Sequence, residues 1–456
     1  MISNKSILIV LMLAFSVRLV AIRVSGTFTK DEGSDAIHYR SIGLNLAQGN
    51  GYSADQTPPF TPDAVREPVY PVFLAVCFKI MGYSVLRVQI VQAAIDTFSV
   101  YLIYLLTLHA LQDFPRIRQA GALIAASLYA VLPCAIRNAV VLVREPLFIF
   151  LLLVSVWLLR RFGWRTATAL GCGALLGIDT LCRANLQLVP FVLLPILIYQ
   201  SGRRAGAWRL AAMFLGANML IVLPWYVRNY VTFGAIGLSP TLGINLFQRT
   251  WSFDLEGNKE PELRALVKRA MVLPDGSGPD ELYTLTVGYR TKGLLDQNLP
   301  AWEVDHRFRE VAVENIFRHP WEYIGTSIVE MGKWWYVTDN YSRIVHGYAS
   351  GFFANLRDRQ WLPLLFLVSG YLFSSALLFF MAYGAIRWWD RVAVEMVVVA
   401  YFAVTTALVQ ICYLSRYWVV AAPFVSVAVG VASAHLLGAV LKRRSITPAP
   451  AAVPNY

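Results

Sequence analysis

Charge is scarce in this chain. Only 15% of its 456 residues are Asp, Glu, Lys or Arg, while 57% are hydrophobic, a balance that excludes an ordinary soluble domain. Cysteine is almost as thin: Cys77, Cys134, Cys172, Cys182 and Cys412 all lie in or beside apolar blocks, with no CxxC pair. That excludes a disulfide framework and a cysteine-built zinc site. The six histidines are scattered, with no HExxH and no clustered ligand spacing, so no metal is indicated. Only His38, one helical turn from the acid Asp35, has a position from which it would join a site. Heptads and internal repeats are also missing.

What is present is hydrophobicity in blocks of about 20 residues, the length a helix needs to cross a ~30 Å hydrocarbon layer. The first block, residues 6–24, is too long for a signal peptide and lacks a small-residue cleavage site, so it reads as an anchor. Further blocks lie near 84–108, 119–136, 145–159, 166–181, 186–200, 209–227, 361–386, 392–413 and 417–440. The net charge of +12 is not a nucleic-acid signal. Residues 230–360 hold 14 basic and 16 acidic residues, whereas the remaining 325 hold 26 and 12. Threading the blocks alternately from a cytoplasmic N-terminus places Arg116/Arg118, Arg160/Arg161/Arg165, Arg203/Arg204/Arg209, Arg387/Arg391 and Lys442/Arg443/Arg444 inside. Every predicted inside loop then obeys the positive-inside rule.

The expected fold is an all-α polytopic bundle of about 10 transmembrane helices with juxtamembrane helices and an outer-face polar segment. Residues 1–229 form an N-terminal transmembrane module carrying a first outer loop, 25–83. Residues 230–360 form the outer-face segment, 361–444 the C-terminal helices, and 445–456 a Pro/Ala-rich disordered tail. Both termini are cytoplasmic on this reading. Within the first loop, residues 69–81 are apolar but too short to span. Near the end of the second, Trp321, Trp334, Trp335 and Tyr336 surround apolar residues, as in a helix lying at the interface.

That orientation leaves Arg66, Arg137, Arg144, Arg183, Arg228 and Arg416 on outer helix ends, where the charge rule does not ask for them. Each one alone has a plain reading as an arginine snorkelling to headgroups. Together, guanidinium groups at headgroup depth suit a lipid-phosphate ligand, which they can hold bidentately. Acids stand beside two of them, Glu67 after Arg66 and Glu145 after Arg144, where helix-end salt bridges are the alternative.

The stretch KDEGSDAIHYRSIGLN (30–45) supplies three more acids. A helix capped by Ser34 would place Asp35, Tyr39, Ile42 and Leu46 on one face, with Asp31 and Glu32 in a looser segment before Gly33. Asp35 is either a first-turn acid favoured by the helix dipole or a general base, ionised at neutral pH and able to take a proton from a hydroxyl. Gln89, Gln92 and Asp96 recur at helical spacing and face the bundle interior. Asp96, Asp179 and Glu395, in or near apolar blocks, keep open a transporter or flippase for a lipid-linked sugar.

The succession DAIHYRSIGLNLAQGNGYS (35–53) then REPVYPVFLA (66–75), followed by VREPLF (143–148), LCRAN (181–185), LPWYVRNYVTFG (223–234) and SRYWVVAAPF (415–424), resembles the family 39-type membrane glycosyltransferases of the GT-C fold. These include the polyprenyl-phosphate-mannose protein mannosyltransferases and aminoarabinose transferases. The resemblance implies an enzyme of a bacterial inner membrane with its active site on the outer face. Its donor would be a polyprenyl-phosphate-linked monosaccharide, its acceptor a glycan, lipid or protein.

Carried over by position, Asp35 is the base. Asp31, Glu32 and Glu145 are less certain catalytic candidates, because relatives with a D-E-x-x-Y pattern would select the first two whereas here Tyr39 follows Asp35. Arg66, Arg183, Arg228 and Arg416 would hold the phosphate, with Tyr39, Glu67 and Tyr417 in support. A lipid phosphate is already a good leaving group, so one base and an arginine cluster suffice, and neither a cofactor nor a divalent metal is required. Hydrolysis of an ordinary glycoside would instead need two carboxylates.

Overall fold

In a computed structural model of the chain, the residues described are 5–25, 34–200, 206–250, 300–335, 361–410 and 415–444. Asp31 and Glu32, most of the outer segment (251–299 and 336–360, with Tyr336) and the tail 445–456 lie outside them. All regular structure among the described residues is helical. In chain order the helices are α1 (Lys5–Ser25), α2 (Ser34–Gln48), α3 (Val69–Met81), α4 (Val85–Ala110), α5 (Pro115–Ala130), α6 (Pro133–Val140), α7 (Glu145–Phe162), α8 (Thr166–Thr180), α9 (Val189–Gln200), α10 (Ala207–Phe233), α11 (Leu242–Thr250), α12 (Ala301–Arg318), α13 (Pro320–Trp335), α14 (Trp361–Arg387), α15 (Trp389–Val409), α16 (Ser415–Trp418) and α17 (Ala422–Arg444).

Six of these (α1, α4, α10, α14, α15 and α17) are long and apolar enough to cross a membrane, and a seventh if α5 and α6, bent by 54°, count as one span. This is an integral membrane protein. The expected ten blocks all fall on helices, but three do not reach spanning character. α7 carries Glu145, Arg160 and Arg161 within its 18 residues, and α8 and α9 are 15 and 12 residues long, about 22 and 18 Å at 1.5 Å per residue.

The break between α5 and α6 follows from Pro133, which cannot donate to the preceding turn. Carbonyls freed around α6 must be satisfied internally in an apolar layer. Glutamines of α4 do this: Gln89 Nε2 donates to the Val140 carbonyl at 2.6 Å and Gln92 Nε2 to that of Val141 at 2.8 Å. The expected inward face of Gln89, Gln92 and Asp96 is therefore present, with a structural task. At the crossing of α5 and α17, a Cβ on Gly121 would stand 2.8 Å from the Gly430 carbonyl oxygen. Small residues let the two backbones touch, as is usual where helices meet in membranes.

Two of the three acids that kept a transporter in play are neutralised in the core. Arg18, fully buried in α1, donates from Nε to Asp96 at 2.6 Å and from Nη1 to the carbonyls of Ala14 and Ala130, while Tyr129 donates to the other Asp96 oxygen. Arg18 Nη2 lies 2.5 Å from the same oxygen as Nε, outside hydrogen-bonding geometry. Glu395 pairs with Arg160 at 2.5 Å. Asp179, wholly buried, has neither oxygen hydrogen-bonded among the described residues.

Above the bundle, α2 and α3 lie against each other. Gly43 brings them together, since a Cβ there would sit 2.7 Å from that of Leu74. Tyr39 and Ile42 are buried as the face reading expects. On α3, Tyr70, Leu74, Cys77 and Phe78 are buried while Val72, Val76 and Ile80 are exposed, the spacing of a half-buried helix. The interface reading of α13 needs correction. Trp321 is exposed, but Trp334 and Trp335 are buried, donating to the carbonyls of Tyr417 and Ser374. They tie α13 to the C-terminal helices.

Candidate active site

The loop between α2 and α3 builds one wall. After α2 the chain reverses at Gly49 and Gly51, both with φ near +87°, a conformation that favours glycine (86° and 88°). Asn45 then gathers the loop, its Nδ2 donating to the carbonyls of Ser53 and Asp55, each at 2.8 Å. Tyr52 donates to the Arg66 carbonyl at 2.9 Å. At its end Asp63 makes a side-chain turn, Oδ1 accepting from the backbone N–H of Val65 (2.9 Å) and Arg66 (3.0 Å).

That turn aims Arg66 at α2. Its Nη2 is 2.5 Å from Asp35 Oδ1, its Nε 3.2 Å from His38 Nδ1, and its guanidinium lies over the Tyr39 ring at 4.8 Å. Positions 35, 38 and 39 share a face because they are three and four apart on one helix, so a single guanidinium reads all three. His38 Nε2 in turn contacts Asp63 Oδ2 at 2.5 Å.

The other walls are helix ends of the membrane module. Glu67 pairs with Arg144, at the start of α7, and also accepts from the backbone N–H of Ala184 (3.1 Å) and from Ser239 (3.3 Å). Arg144 makes a further bond to the Cys182 carbonyl. Glu145, the first residue of α7, pairs with Arg183 at 3.2 Å. Arg183, in the turn that ends α8, lies over the rings of Phe148 (5.5 Å) and Tyr417 (6.0 Å). Val69 N–H donates to the Leu181 carbonyl, tying α3 to the same turn.

Asp35 with Arg66, Glu67 with Arg144 and Glu145 with Arg183 therefore stand side by side, three charges balanced by three. Sequence neighbours do not pair with each other. Arg66 turns from Glu67 to Asp35, and Arg144 from Glu145 to Glu67.

Arg228 differs. It forms no ion pair among the described residues. Its Nη1 donates to Asn229 Oδ1 at 2.8 Å, and its guanidinium is ringed by Trp225 (4.6 Å), Phe233 (4.9 Å) and Tyr52 (5.4 Å). Tyr52 thus bridges Arg228 to Arg66. Of the remaining sequence candidates, Tyr417 is buried beside Arg183, Arg137 is exposed on α6, and Arg416 lies on α16 with its side chain outside what is described.

Electrostatics set the protonation states. The Tyr39 hydroxyl is buried with no hydrogen-bond partner among the described residues. Burial pushes it up to about 12, against the lowering pull of Arg144 and Arg66, so it remains an O–H donor. Burial likewise drives Tyr52 up, helped by Asp63 and Glu67. Burial also opposes ionisation of Asp63, but hydrogen bonds from His38 and from the Arg66 backbone outweigh it and hold the carboxyl below its ordinary value.

Asp63 and Tyr52 were not singled out by sequence. The clue to Asp63 was its place three residues before Arg66 in TPDAVREP (61–68), a turn-forming Asp ahead of a site arginine. Among the described residues, no three His, Cys, Asp or Glu side chains are placed to hold a metal ion.

No family model matches the chain, and no curated protein matches it. Solved structures that it is similar to include two of ArnT. ArnT from Cupriavidus metallidurans bound to undecaprenyl phosphate shares 13% identity over 99% of this chain and 82% of that one, with a TM-score of 0.41. ArnT from the same organism in the apo state shares 14% over 88% and 72%, with a TM-score of 0.35.

Proposed function

We propose that this chain is a GT-C-type membrane glycosyltransferase that moves a monosaccharide from a polyprenyl-phosphate donor to an acceptor on the outer face of the membrane. The observation that carries this reading is the charge pattern. Three arginine–carboxylate pairs converge on the first loop, and one further arginine, Arg228, pairs with no acid among the described residues.

In this reading Arg228 anchors the donor phosphate, and its aromatic surround accepts the adjoining apolar chain. The Tyr39 hydroxyl, an O–H without a partner, adds a donor at the floor. The acceptor hydroxyl attacks the anomeric carbon in line. The new bond from acceptor oxygen to carbon forms as the bond from carbon to phosphate oxygen breaks, the acceptor's proton passes to Asp35, and the polyprenyl phosphate leaves with inversion at carbon.

Asp35 begins paired with Arg66, Oδ1 to Nη2 at 2.5 Å. When Asp35 takes the proton, Arg66 loses its counter-charge at the moment the leaving phosphate gains one. Arg66 then stabilises the transition state more than the ground state, which is what accelerates a reaction. Glu67 and Glu145 hold Arg144 and Arg183 in place around it. The positive-inside distribution supports an outer-face site with cytoplasmic termini. Acceptor specificity is assigned to the segment that begins at residue 230, where Ser239 reaches Glu67.

A transporter for a lipid-linked sugar now rests on Asp179 alone, the one buried acid without a hydrogen-bond partner among the described residues. One experiment separates the two. Purified protein in lipid nanodiscs is incubated with a panel of polyprenyl-phosphate sugars and acceptor glycans, lipids and peptides, and release of free polyprenyl phosphate is followed. Turnover that disappears in Asp35→Asn supports the enzyme. Movement of intact donor across proteoliposomes, with no release by any pairing, overturns it.

A further inference from the structure

We infer that His38 is a positioning residue that holds Arg66 against Asp35 by accepting a hydrogen bond at Nδ1. The inference deepens the transferase reading above, and its first test does not depend on that reading.

The geometry forms a closed circuit. Asp63 is fixed by the N–H groups of Val65 and Arg66, bonds that fold the turn carrying Arg66. Its other oxygen, Oδ2, meets His38 Nε2 at 2.5 Å, and His38 Nδ1 faces Arg66 Nε at 3.2 Å. Arg66 Nε always carries hydrogen and has no acceptor capacity. His38 Nδ1 must therefore offer its lone pair, and the ring proton must sit on Nε2, donating to Asp63. Asp63 selects the tautomer, as partners of the far nitrogen generally do.

Nε and Nη2 lie on one edge of the guanidinium. With Nε held by His38, Nη2 is directed at Asp35 Oδ1 at 2.5 Å. The Arg66 plane is set from below by the Tyr39 ring at 4.8 Å. Without the Nδ1 acceptor, Arg66 keeps its charge and its stacking but loses the contact that fixes rotation of its edge, and Asp35 is then bound at varying angles. The charged groups facing His38 are Asp35 on its own helix and Asp63 and Arg66 on the loop. A purely structural role for His38 in packing the loop would depend on Asp63 alone.

Two measurements on the full chain test this. In the first, 15N-histidine NMR of the solubilised protein, with His38 assigned by loss of its signal in His38→Gln, should show the neutral Nε2–H form. Arg66→Lys, which removes the Nε donor, should shift the Nδ1 resonance. An Nδ1–H ring, or an Nδ1 signal unmoved in Arg66→Lys, overturns the inference.

In the second, donor turnover is compared across three variants. His38→Phe should lose about 10- to 100-fold in kcat, the scale of a misplaced catalytic group, with donor KM within about threefold. His38→Asn, whose amide falls near Nδ1, should recover at least tenfold over His38→Phe. His38→Gln, whose amide reaches only toward Asp63, should not recover. Equal rates in the Asn and Gln variants, or recovery by Gln alone, overturn the positioning role. If the wild type turns over no donor, the transferase reading falls, and the NMR result alone decides the contact between His38 and Arg66.

Discussion

Replacing the arginines one at a time separates ligand binding from charge balance. Arg183 and Glu145 are both nearly buried, at 4% and 5% side-chain exposure, and they pair at 3.2 Å. Arg183→Ala strands the Glu145 carboxylate in the protein interior, and breaking such a pair from one side costs about 3–5 kcal/mol. Glu67 is similarly buried against Arg144, so Arg144→Ala should cost a comparable amount, softened by the Ala184 N–H and Ser239 hydroxyl that Glu67 retains.

Arg228 is half-exposed, and its single described hydrogen bond is to the neutral Asn229. Arg228→Ala should leave the fold close to wild type and remove one charged hydrogen bond to phosphate, worth about 1.5–3 kcal/mol, or roughly 10- to 150-fold in Kd. The assay is calorimetric binding of a short-chain polyprenyl phosphate to nanodisc-embedded protein, with thermal unfolding measured in parallel. Arg183→Met combined with Glu145→Leu should recover most of the stability lost by Arg183→Ala, because it removes both charges together. Wild-type phosphate affinity in Arg228→Ala would refute the reasoning. So would an Arg183→Ala protein that unfolds like wild type yet no longer binds, since the phosphate seat would then be Arg183.

Asp35→Asn preserves an oxygen for Arg66 and removes only the proton acceptor, so kcat should fall about 10²- to 10⁴-fold with donor affinity within a few-fold. Single-turnover release of polyprenyl phosphate measures this, and wild-type kcat in a folded variant would disprove the assignment. Asp63 titrates below its ordinary value in the folded chain, so the folded loop binds fewer protons there than the unfolded chain does. Its stabilisation is complete above the unfolded Asp value of about 3.9 and is lost as pH falls through the lower folded value. Backbone-amide exchange at residues 63–68 should accelerate below about pH 4 in wild type and show no such transition in Asp63→Asn; identical profiles would count against it. Arg18→Met, which leaves Asp96 buried with Tyr129 as its remaining partner, should lower the thermal midpoint sharply. Arg18→Met combined with Asp96→Leu should restore much of it, and equal midpoints for the two variants would contradict a buried pair.

Much of this protein is legible locally. Helix positions follow from apolar block length and period, and the face of α2 from the spacing of Asp35, Tyr39 and Ile42. The arginines at helix ends stand out in sequence because a basic residue beside an apolar block is visible from position along the chain alone. The span count was less readable. α7, α8 and α9 are apolar in sequence, yet too charged or too short to qualify alone, and a bilayer-length criterion acts on the folded helix.

Sequence by itself thus determined that this is a helical membrane protein, and which charged residues stand at the ends of its helices. Only the tertiary structure decided which of them meet. The partners Asp35 and Arg66, Glu67 and Arg144, and Glu145 and Arg183 are 31, 77 and 38 residues apart. Their pairing is set by how far each helix end projects and by the loop that Asn45 and Asp63 fold back over α2. No local pattern encodes those offsets, because an ion pair forms between charges that packing brings within reach, whatever their separation along the chain. The same packing left Arg228 without an acid among the described residues and gave His38 its two partners.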